Sequence, residues 1–535
     1  MNKTSLLSLY ALILISTFIV SCQNEEKQVT VNKLKYKNIK MKSLFGVNAF
    51  EWDFLQDPNN PNEHSKIYEP KMELMKTFSG VRHYVDWEKL EDKKGIYSFN
   101  PTTRGGWNYD AVYARAKMEG IDILLCLKNS PDWLFNTYPN GQRDTDNSPV
   151  GYKANREDPK SYIEQAKAIF QYAARYGSNK NIDTSLITLN KTPRWANDQV
   201  NQIKVGLNLI KYVECGNEPD KWWKGKFAEQ SPREYAANLS AFYDGNKGKL
   251  GKNVGVKTAD PNMKVVMGGI ARPDIKYVRE MIEWCKENRG YKPDGSIDLC
   301  FDVINFHLYS NDNTSWFKRL KLKRQTGIAP ELAELGSIAD SFVNLAGELG
   351  KNMEVWTTET GYDLREGSIQ SAIPIEGKSI LLTQADWILR TSLLYARHGV
   401  NRVFFYIAYD TDAPGTVSEY PFGTSGLLTD GKRRPAADYL LQVTKLMGEY
   451  VYDNTINSDP IVDVYKFRNK SMYVLVVPDQ TDRRENYELN LHKTKKARVY
   501  YLKPGADAMT SKDFNTDNGI LKLEVTETPV FVEAL

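Results

Sequence analysis

IKYVECGNEPD, residues 210–220, decides how the rest of the chain is read. Residues 210–215 are apolar enough for a buried strand and too few for a helix. Gly216 ends the run, and a helical pattern follows at 231–243. Outward from this unit the same alternation repeats. Strand candidates occur at 44–50 (LFGVNAF), 80–85 (GVRHYV), 122–127 (DILLCL), 264–270 (KVVMGGI), 301–306 (FDVINF), 354–358 (EVWTT) and 403–408 (VFFYIA). Helical patterns lie between them at 109–118, 159–176, 275–288, 332–349 and 380–397, and one more follows at 435–449. A strand, a crossover helix and a second strand make a parallel pair, so the repeat predicts an α/β fold with a parallel sheet. Eight units predict closure into a (β/α)8 TIM barrel. The alternative, an open doubly wound sheet, would carry a glycine-rich phosphate loop after its first strand. The chain has Asn48-Ala49-Phe50-Glu51-Trp52 there.

From about residue 450 the pattern changes to short alternating segments: IVDVYKF, MYVLVVP, YELNLH, ARVYYL, ILKLEV and PVFVEAL. These predict a C-terminal antiparallel β-sandwich packed on the barrel. The division expected is a signal peptide at 1–21, a linker at 22–43, a catalytic barrel at 44–449 and the sandwich at 450–535. Residues 135–157 and 177–206 are rich in Asn, Asp, Pro, Gly and Lys, and read as long loops over the barrel mouth.

The first residues place Lys3 before the apolar run LLSLYALILISTFIV, which ends at Ser21-Cys22. The run is short for a membrane span and is followed by a polar, acidic stretch. Ile19-Val20-Ser21-Cys22 resembles a bacterial lipobox, which implies acylation of Cys22 and an exported lipoprotein of the outer membrane, facing the cell surface. The other four cysteines, Cys126, Cys215, Cys285 and Cys300, form no CxxC pair, so neither zinc nor dithiol chemistry is expected; a Cys285–Cys300 disulfide stays open. Lys and Arg (71) nearly balance Asp and Glu (67), which argues against a nucleic-acid partner. The five histidines are scattered and form no HExxH, so no metal or cofactor is expected. The composition says nothing about oligomeric state.

In a barrel of this kind reactive groups stand where strands end at the C-terminal face. The fourth strand candidate ends in Asn217-Glu218-Pro219 and the seventh in Thr358-Glu359-Thr360. Strands four and seven face each other across the ring. Two facing carboxyls are what glycosidic cleavage requires, one to protonate the leaving oxygen and one to attack the anomeric carbon.

Asn217-Glu218-Pro219 after strand four, with Glu359 after strand seven, resembles the clan A glycoside hydrolases, most closely family 39 and family 5-like members. The resemblance covers residues 44–449 as architecture and 450–535 more loosely. It implies that Glu218 is the acid/base, Glu359 the nucleophile, and Asn217 a partner of the sugar 2-hydroxyl. It implies further that cleavage retains anomeric configuration and acts on β-linked polysaccharide or oligosaccharide. Arg82 matches the arginine that keeps the nucleophile ionised, with a rim salt bridge as the alternative. Asn305-Phe306-His307-Leu308-Tyr309 resembles the clan's His-x-Tyr, so His307 and Tyr309 become substrate-binding candidates; a satisfied buried histidine is the other reading. The clan often has Trp after strand eight. Here Tyr406 or Tyr409 stands in its place. Trp222, Trp223 and Trp133 are candidate sugar platforms, or else core residues. Glu214 is read as a residue of the barrel interior or wall. A non-catalytic surface glycan-binding lipoprotein is the competing function, although its decay would normally have cost one of the two glutamates.

Overall fold

All eight strand candidates are strands, and they close a parallel barrel in chain order. They are β1 (Gly46–Ala49), β2 (Gly80–Asp86), β3 (Asp122–Lys128), β4 (Tyr212–Cys215), β5 (Lys264–Met267), β6 (Val303–His307), β7 (Glu354–Thr360) and β8 (Arg402–Phe405). The computed structural model describes residues 39–193, 200–312, 326–350, 353–412 and 422–535. Cys22 and the signal-peptide reading lie outside the described residues. Helices fill the crossovers at Tyr109–Met118, Ile163–Tyr176, Pro232–Asp244, Ile275–Asn288, Leu335–Leu349 and Ile380–Arg397, with Pro435–Met447 after β8. Each begins or ends on a local signal. Ser231 and Glu234 form a capping box with Pro232 at the first turn, and Gly245 closes the same helix at φ 64°.

The expected linker ends earlier than residue 43. Met41–Leu44 is a short 3-10 helix with Met41 and Leu44 buried, and the Met41 and Lys42 amides donate to Tyr450 and Gly448 carbonyls. Apolar side chains at 41 and 44 seal the barrel floor, a role that the polar neighbours Lys40, Lys42 and Ser43 hide in the sequence.

Side chains alternate in and out along each strand, so every second residue enters the barrel. The lowest inward layer is apolar: Leu124, Val266, Val303, Trp356 and Phe404 form a core of their own. Phe404 needs the space that two glycines leave. A Cβ at Gly46 would sit 2.6 Å from its ring, and one at Gly80 would sit 3.3 Å away. One step up, the inward residues turn polar: Asn48, Arg82, Glu214 and Asn305, all fully buried.

After the small hairpin β9 (Leu428–Thr429) and β10 (Lys432–Arg433), eight strands follow, two more than the sequence pattern shows. They are β11 (Val451–Ser458), β12 (Ile461–Phe467), β13 (Lys470–Val476), β14 (Glu485–Asn490), β15 (Lys496–Tyr501), β16 (Thr510–Asn515), β17 (Ile520–Val525) and β18 (Val530–Ala534). Six of them form one antiparallel sheet in the order β11-β12-β13-β18-β15-β16, and β14 pairs with β17. The apolar faces of both sheets share a core that includes Val462, Leu475, Leu489, Val499 and Leu521. The missed strands, β11 and β16, are the edges of the larger sheet. Their largely exposed or half-buried polar residues carry no alternating apolar signal.

The outer face of the large sheet packs on the barrel. Tyr465, Met472, Val474 and Phe531 belong to the same buried cluster as the barrel helices. Arg397, at the end of the 380–397 helix, pairs with the buried Asp463 at 2.7 Å, and Arg390 donates to the Asp479 carbonyl at 2.9 Å. Phe531 is fully buried in this joint. Phe531→Ala is expected to destabilise the protein by about 3–5 kcal/mol, the usual cost of a phenyl-sized cavity. A urea titration that shows an unchanged midpoint would contradict this packing.

Candidate active site

The site is built on the polar layer. Arg82, inward on β2, is its hub. Nε and Nη2 donate to the two oxygens of Glu214 at 2.6 and 2.9 Å. Nη1 donates to Glu359 Oε1 at 2.8 Å, to the Tyr84 hydroxyl at 2.7 Å and to Asn48 Oδ1 at 3.1 Å. Nη2 also donates to Asn217 Oδ1 at 2.8 Å. A buried guanidinium would be costly alone; here its N–H groups are taken up and two carboxylates flank its charge. Glu214 is held in turn by Asn305 Nδ2 at 3.0 Å and the Gly269 amide at 3.1 Å.

Glu359 and Glu218 stand above this layer. Glu359 Oε1 receives Arg82 and the Tyr84 hydroxyl, and Oε2 receives the Tyr309 hydroxyl at 3.1 Å. Burial alone would raise its pKa. The charges of His307 and Arg82, with hydrogen bonds from Tyr84 and Arg82, outweigh burial and hold the carboxyl below the usual carboxylate range. Glu218 shows the opposite balance. Burial and the neighbouring Glu359 charge push its pKa up against the hydrogen bond from His307. His307 Nδ1 lies 3.0 Å from Glu218 Oε1 and 3.6 Å from Glu359 Oε2, while Nε2 meets Thr358 Oγ1 at 3.0 Å. One oxygen of each glutamate and a ring nitrogen of His307 all lie within 4.8 Å of one another. Among the described residues this is also the one cluster of His, Cys, Asp and Glu spaced to hold a metal ion.

Backbone geometry explains how the two acids are aimed. The chain leaves β4 through Gly216 at φ 76° and carries Glu218 itself at φ 47°, a left-handed turn that lifts the carboxyl over the barrel. On β7 the register against β8 slips between Thr357 and Thr360. Thr358 faces the interior in phase with Trp356, beside Asn305, and the irregularity lets the next residue, Glu359, reach the mouth as well.

The structure brings Arg82, Asn217, Glu218, His307, Tyr309 and Glu359 together. Asn217 Nδ2 donates to Glu218 Oε2 at 3.3 Å. Tyr406 stands beside Tyr84, ring centroids 6.5 Å apart, and beside Phe422 at 5.7 Å. A cleft of about 630 Å³ opens from the pair and is lined by Glu218, His307, Tyr309, Trp222, Arg272 and Gln370 among others. Trp222 is 42% exposed in its wall, and Trp223, 51% exposed, packs edge-on against Trp222. Trp133 takes a different place: its indole donates to the Glu91 carbonyl at 3.1 Å and its ring packs edge-on against buried Trp87. Tyr84, Asn48, Asn305 and Thr358 are site residues that sequence reasoning missed. Tyr84 was within reach, since it lies two residues beyond Arg82 and so faces inward with it. Phe50 and Trp52, stacked at 4.2 Å, extend the aromatic wall next to Tyr84. Cys285 and Cys300 are free buried thiols with sulfurs 3.5 Å apart.

No family model and no curated protein matches this chain. Solved structures do. A family 39 glycoside hydrolase from the gut symbiont Bacteroides cellulosilyticus WH2 aligns over 93% of this chain and 82% of its own, with 16% identity and a TM-score of 0.59. A family 30 endoxylanase from Clostridium papyrosolvens C71 covers 92% and 95% of the two chains at 14% identity, TM-score 0.52. A family 51 α-L-arabinofuranosidase from Bifidobacterium longum covers 94% and 97% at 13% identity, TM-score 0.51. These neighbours are clan A glycoside hydrolases. At such identities the likeness establishes the shared fold, a (β/α)8 barrel with added C-terminal sheets.

Proposed function

We propose that the protein is a retaining glycoside hydrolase acting on β-linked bonds in a polysaccharide or oligosaccharide. The observation that carries this reading is the close pair of carboxyls whose pKa values their surroundings push in opposite directions, Glu218 up and Glu359 down. Glu359, kept anionic by Arg82 and His307, attacks the anomeric carbon. Glu218, pushed toward its protonated form, gives its proton to the leaving oxygen and later takes one from water. Once Glu359 is glycosylated its charge is gone, so the pKa of Glu218 falls and it becomes a base.

The spacing favours retention. Nucleophilic attack places the carboxyls about 5–5.5 Å apart, whereas inversion needs about 6.5–9.5 Å to admit a water. One oxygen of each carboxyl lies within 4.8 Å of the other's, a close approach that supports the first class. Proton NMR of the first sugar released from a β-linked aryl glycoside is expected to show the β-anomer. An α-anomer from the wild type would overturn double displacement. The neighbours' names span an endoxylanase and an arabinofuranosidase, so the glycone is left to a substrate screen.

The same reading includes export and anchoring. Among the described residues no helix is long and apolar enough to cross a membrane. The lipobox-like run before Cys22 supplies the anchor in this proposal, which places the enzyme on the outer membrane facing extracellular glycan. Cys22→Ala is expected to lose metabolic palmitate labelling and to leave the membrane fraction. Persistence of both in the variant would refute the anchor.

A further inference from the structure

The cleft that opens from the glutamate pair is one-sided. Its walls include Glu218, His307 and Tyr309, and not Glu359. A proton donor stands beside the oxygen it protonates, so the sugar beyond that oxygen lies along the wall that starts at Glu218. That wall continues to Trp222, four residues on, whose ring is partly exposed. The guanidinium carbon of Arg272 lies over this ring, 3.9 Å from its centroid.

The placement of Arg272 is built into the fold. Asp220, two residues past Glu218 and buried, accepts the Ala271 amide on one oxygen at 2.8 Å and the Arg272 amide on the other at 2.7 Å. This clamp fixes the segment after β5 to the segment after β4, and so fixes Arg272 relative to Glu218. The guanidinium itself has no carboxylate partner among the described residues. Asp274, in the same cleft, spends Oδ1 on the Lys276 amide at the start of its helix. A guanidinium lying over an aromatic ring, with no hydrogen-bond acceptor on its N–H groups among the described residues, suits a carboxylate or sulfate by paired hydrogen bonds.

We propose that the cleft from Glu218 to Trp222 receives the leaving-group sugar, and that Arg272 makes it select a sugar carrying a carboxylate or sulfate. This rests on the glycosidase reading above. Trp222 seats the guanidinium in the wall of the cleft and Arg272 supplies the charge selection.

Acceptor trapping tests the subsite directly. A panel of 4-nitrophenyl β-glycosides first finds a donor. In the second half-reaction an acceptor hydroxyl then attacks the anomeric carbon. The new glycosidic C–O bond forms, the ester C–O bond to Glu359 breaks, and the hydroxyl proton passes to Glu218. Methyl β-glucuronide, methyl 6-O-sulfo-β-galactoside and the two neutral methyl glycosides are compared as acceptors by mass spectrometry of the transfer products. The wild type is expected to favour an anionic acceptor over its neutral counterpart by about tenfold or more, the worth of a charge-assisted hydrogen bond. In Arg272→Gln that ratio should fall to near one, and because it is internal to each variant, changes in total activity do not affect it. Trp222→Ala should lower the ratio as well, because it removes the ring on which the guanidinium rests. Whether the uronide or the sulfate ester wins separates the two chemistries. Equal trapping by the wild type, or a preference that survives Arg272→Gln, overturns the proposal. If no aryl glycoside is cleaved, the hydrolase reading fails by itself, and calorimetry with the same methyl glycosides applies the same ratio test to binding.

Discussion

Replacing Glu359 by alanine is expected to lower kcat/KM by about 10⁴-fold or more, the scale seen when a catalytic nucleophile is removed from an intact site. The loss should be chemical and not structural. Arg82 loses its 2.8 Å contact with Glu359 but keeps both oxygens of Glu214 and its bonds to Tyr84, Asn48 and Asn217, so the buried cation stays paired. The space vacated lies beside that cation and beside His307, which suits a small anion. Azide should therefore restore turnover of an activated aryl glycoside and yield a glycosyl azide of inverted configuration. Near wild-type activity in the variant, or rescue with a retained product, would remove Glu359 from the role of nucleophile. Circular dichroism that shows an unfolded variant would instead contradict the claim that Glu214 suffices to hold Arg82.

Glu218→Ala is expected to separate substrates by leaving group. With a sugar as leaving group, the missing proton should cost about 10²–10⁴-fold, the range for a positioned general acid. With 2,4-dinitrophenol, which needs no proton, formation of the glycosyl-enzyme should be far less affected, and azide should accelerate its breakdown to a retained glycosyl azide. The pH profile gives a second reading. In the wild type, activity is expected to fall on the alkaline side as Glu218, whose pKa is raised, gives up its proton, and on the acid side as Glu359, whose pKa is lowered, gains one. In Glu218→Ala the alkaline limb should flatten while the acid limb remains. A variant whose kcat/KM falls equally for good and poor leaving groups, with an unchanged profile, would assign the proton to another group.

The strand–helix rhythm was legible throughout because each barrel strand is a short apolar run bounded by turn residues. The helices at 109–118, 275–288 and 380–397 match their sequence patterns end to end. The two glutamates were legible because they stand at the C-terminal ends of strands, Glu218 just past β4 and Glu359 at the end of β7. The polar layer beneath them was harder to read. Glu214 lies within the strand, and only the inward phase shared with Tyr212 reveals that it serves Arg82 and not solvent. Thr358 and Glu359 are adjacent in sequence, so simple alternation would send one of them outward; the register slip on β7 that brings both to the interior leaves no mark in the residues. The edge strands β11 and β16 were invisible for the opposite reason, since polar, solvated sheet margins look like loops.

The weak seams of the barrel have a consequence for how activity and durability are inherited together. Between β8 and β1 the ladder holds two residue pairs, Gly46–Phe404 and Val47–Phe405. Between β5 and β6 it holds the Val266–Val303 pair and the separate Ile270–Phe306 bridge. These seams divide the ring into an arc of five strands bearing Arg82, Glu214 and Glu218, and an arc of three bearing Asn305, His307 and Glu359. Across the interior the arcs are tied by Arg82 to Glu359, Asn305 to Glu214, and His307 to Glu218. The side chains that set the protonation of the reacting pair are therefore also the hoop that keeps the staves closed. Loss of one tie costs chemistry first, because the other two still join the arcs; closure fails only when drift removes several of them together.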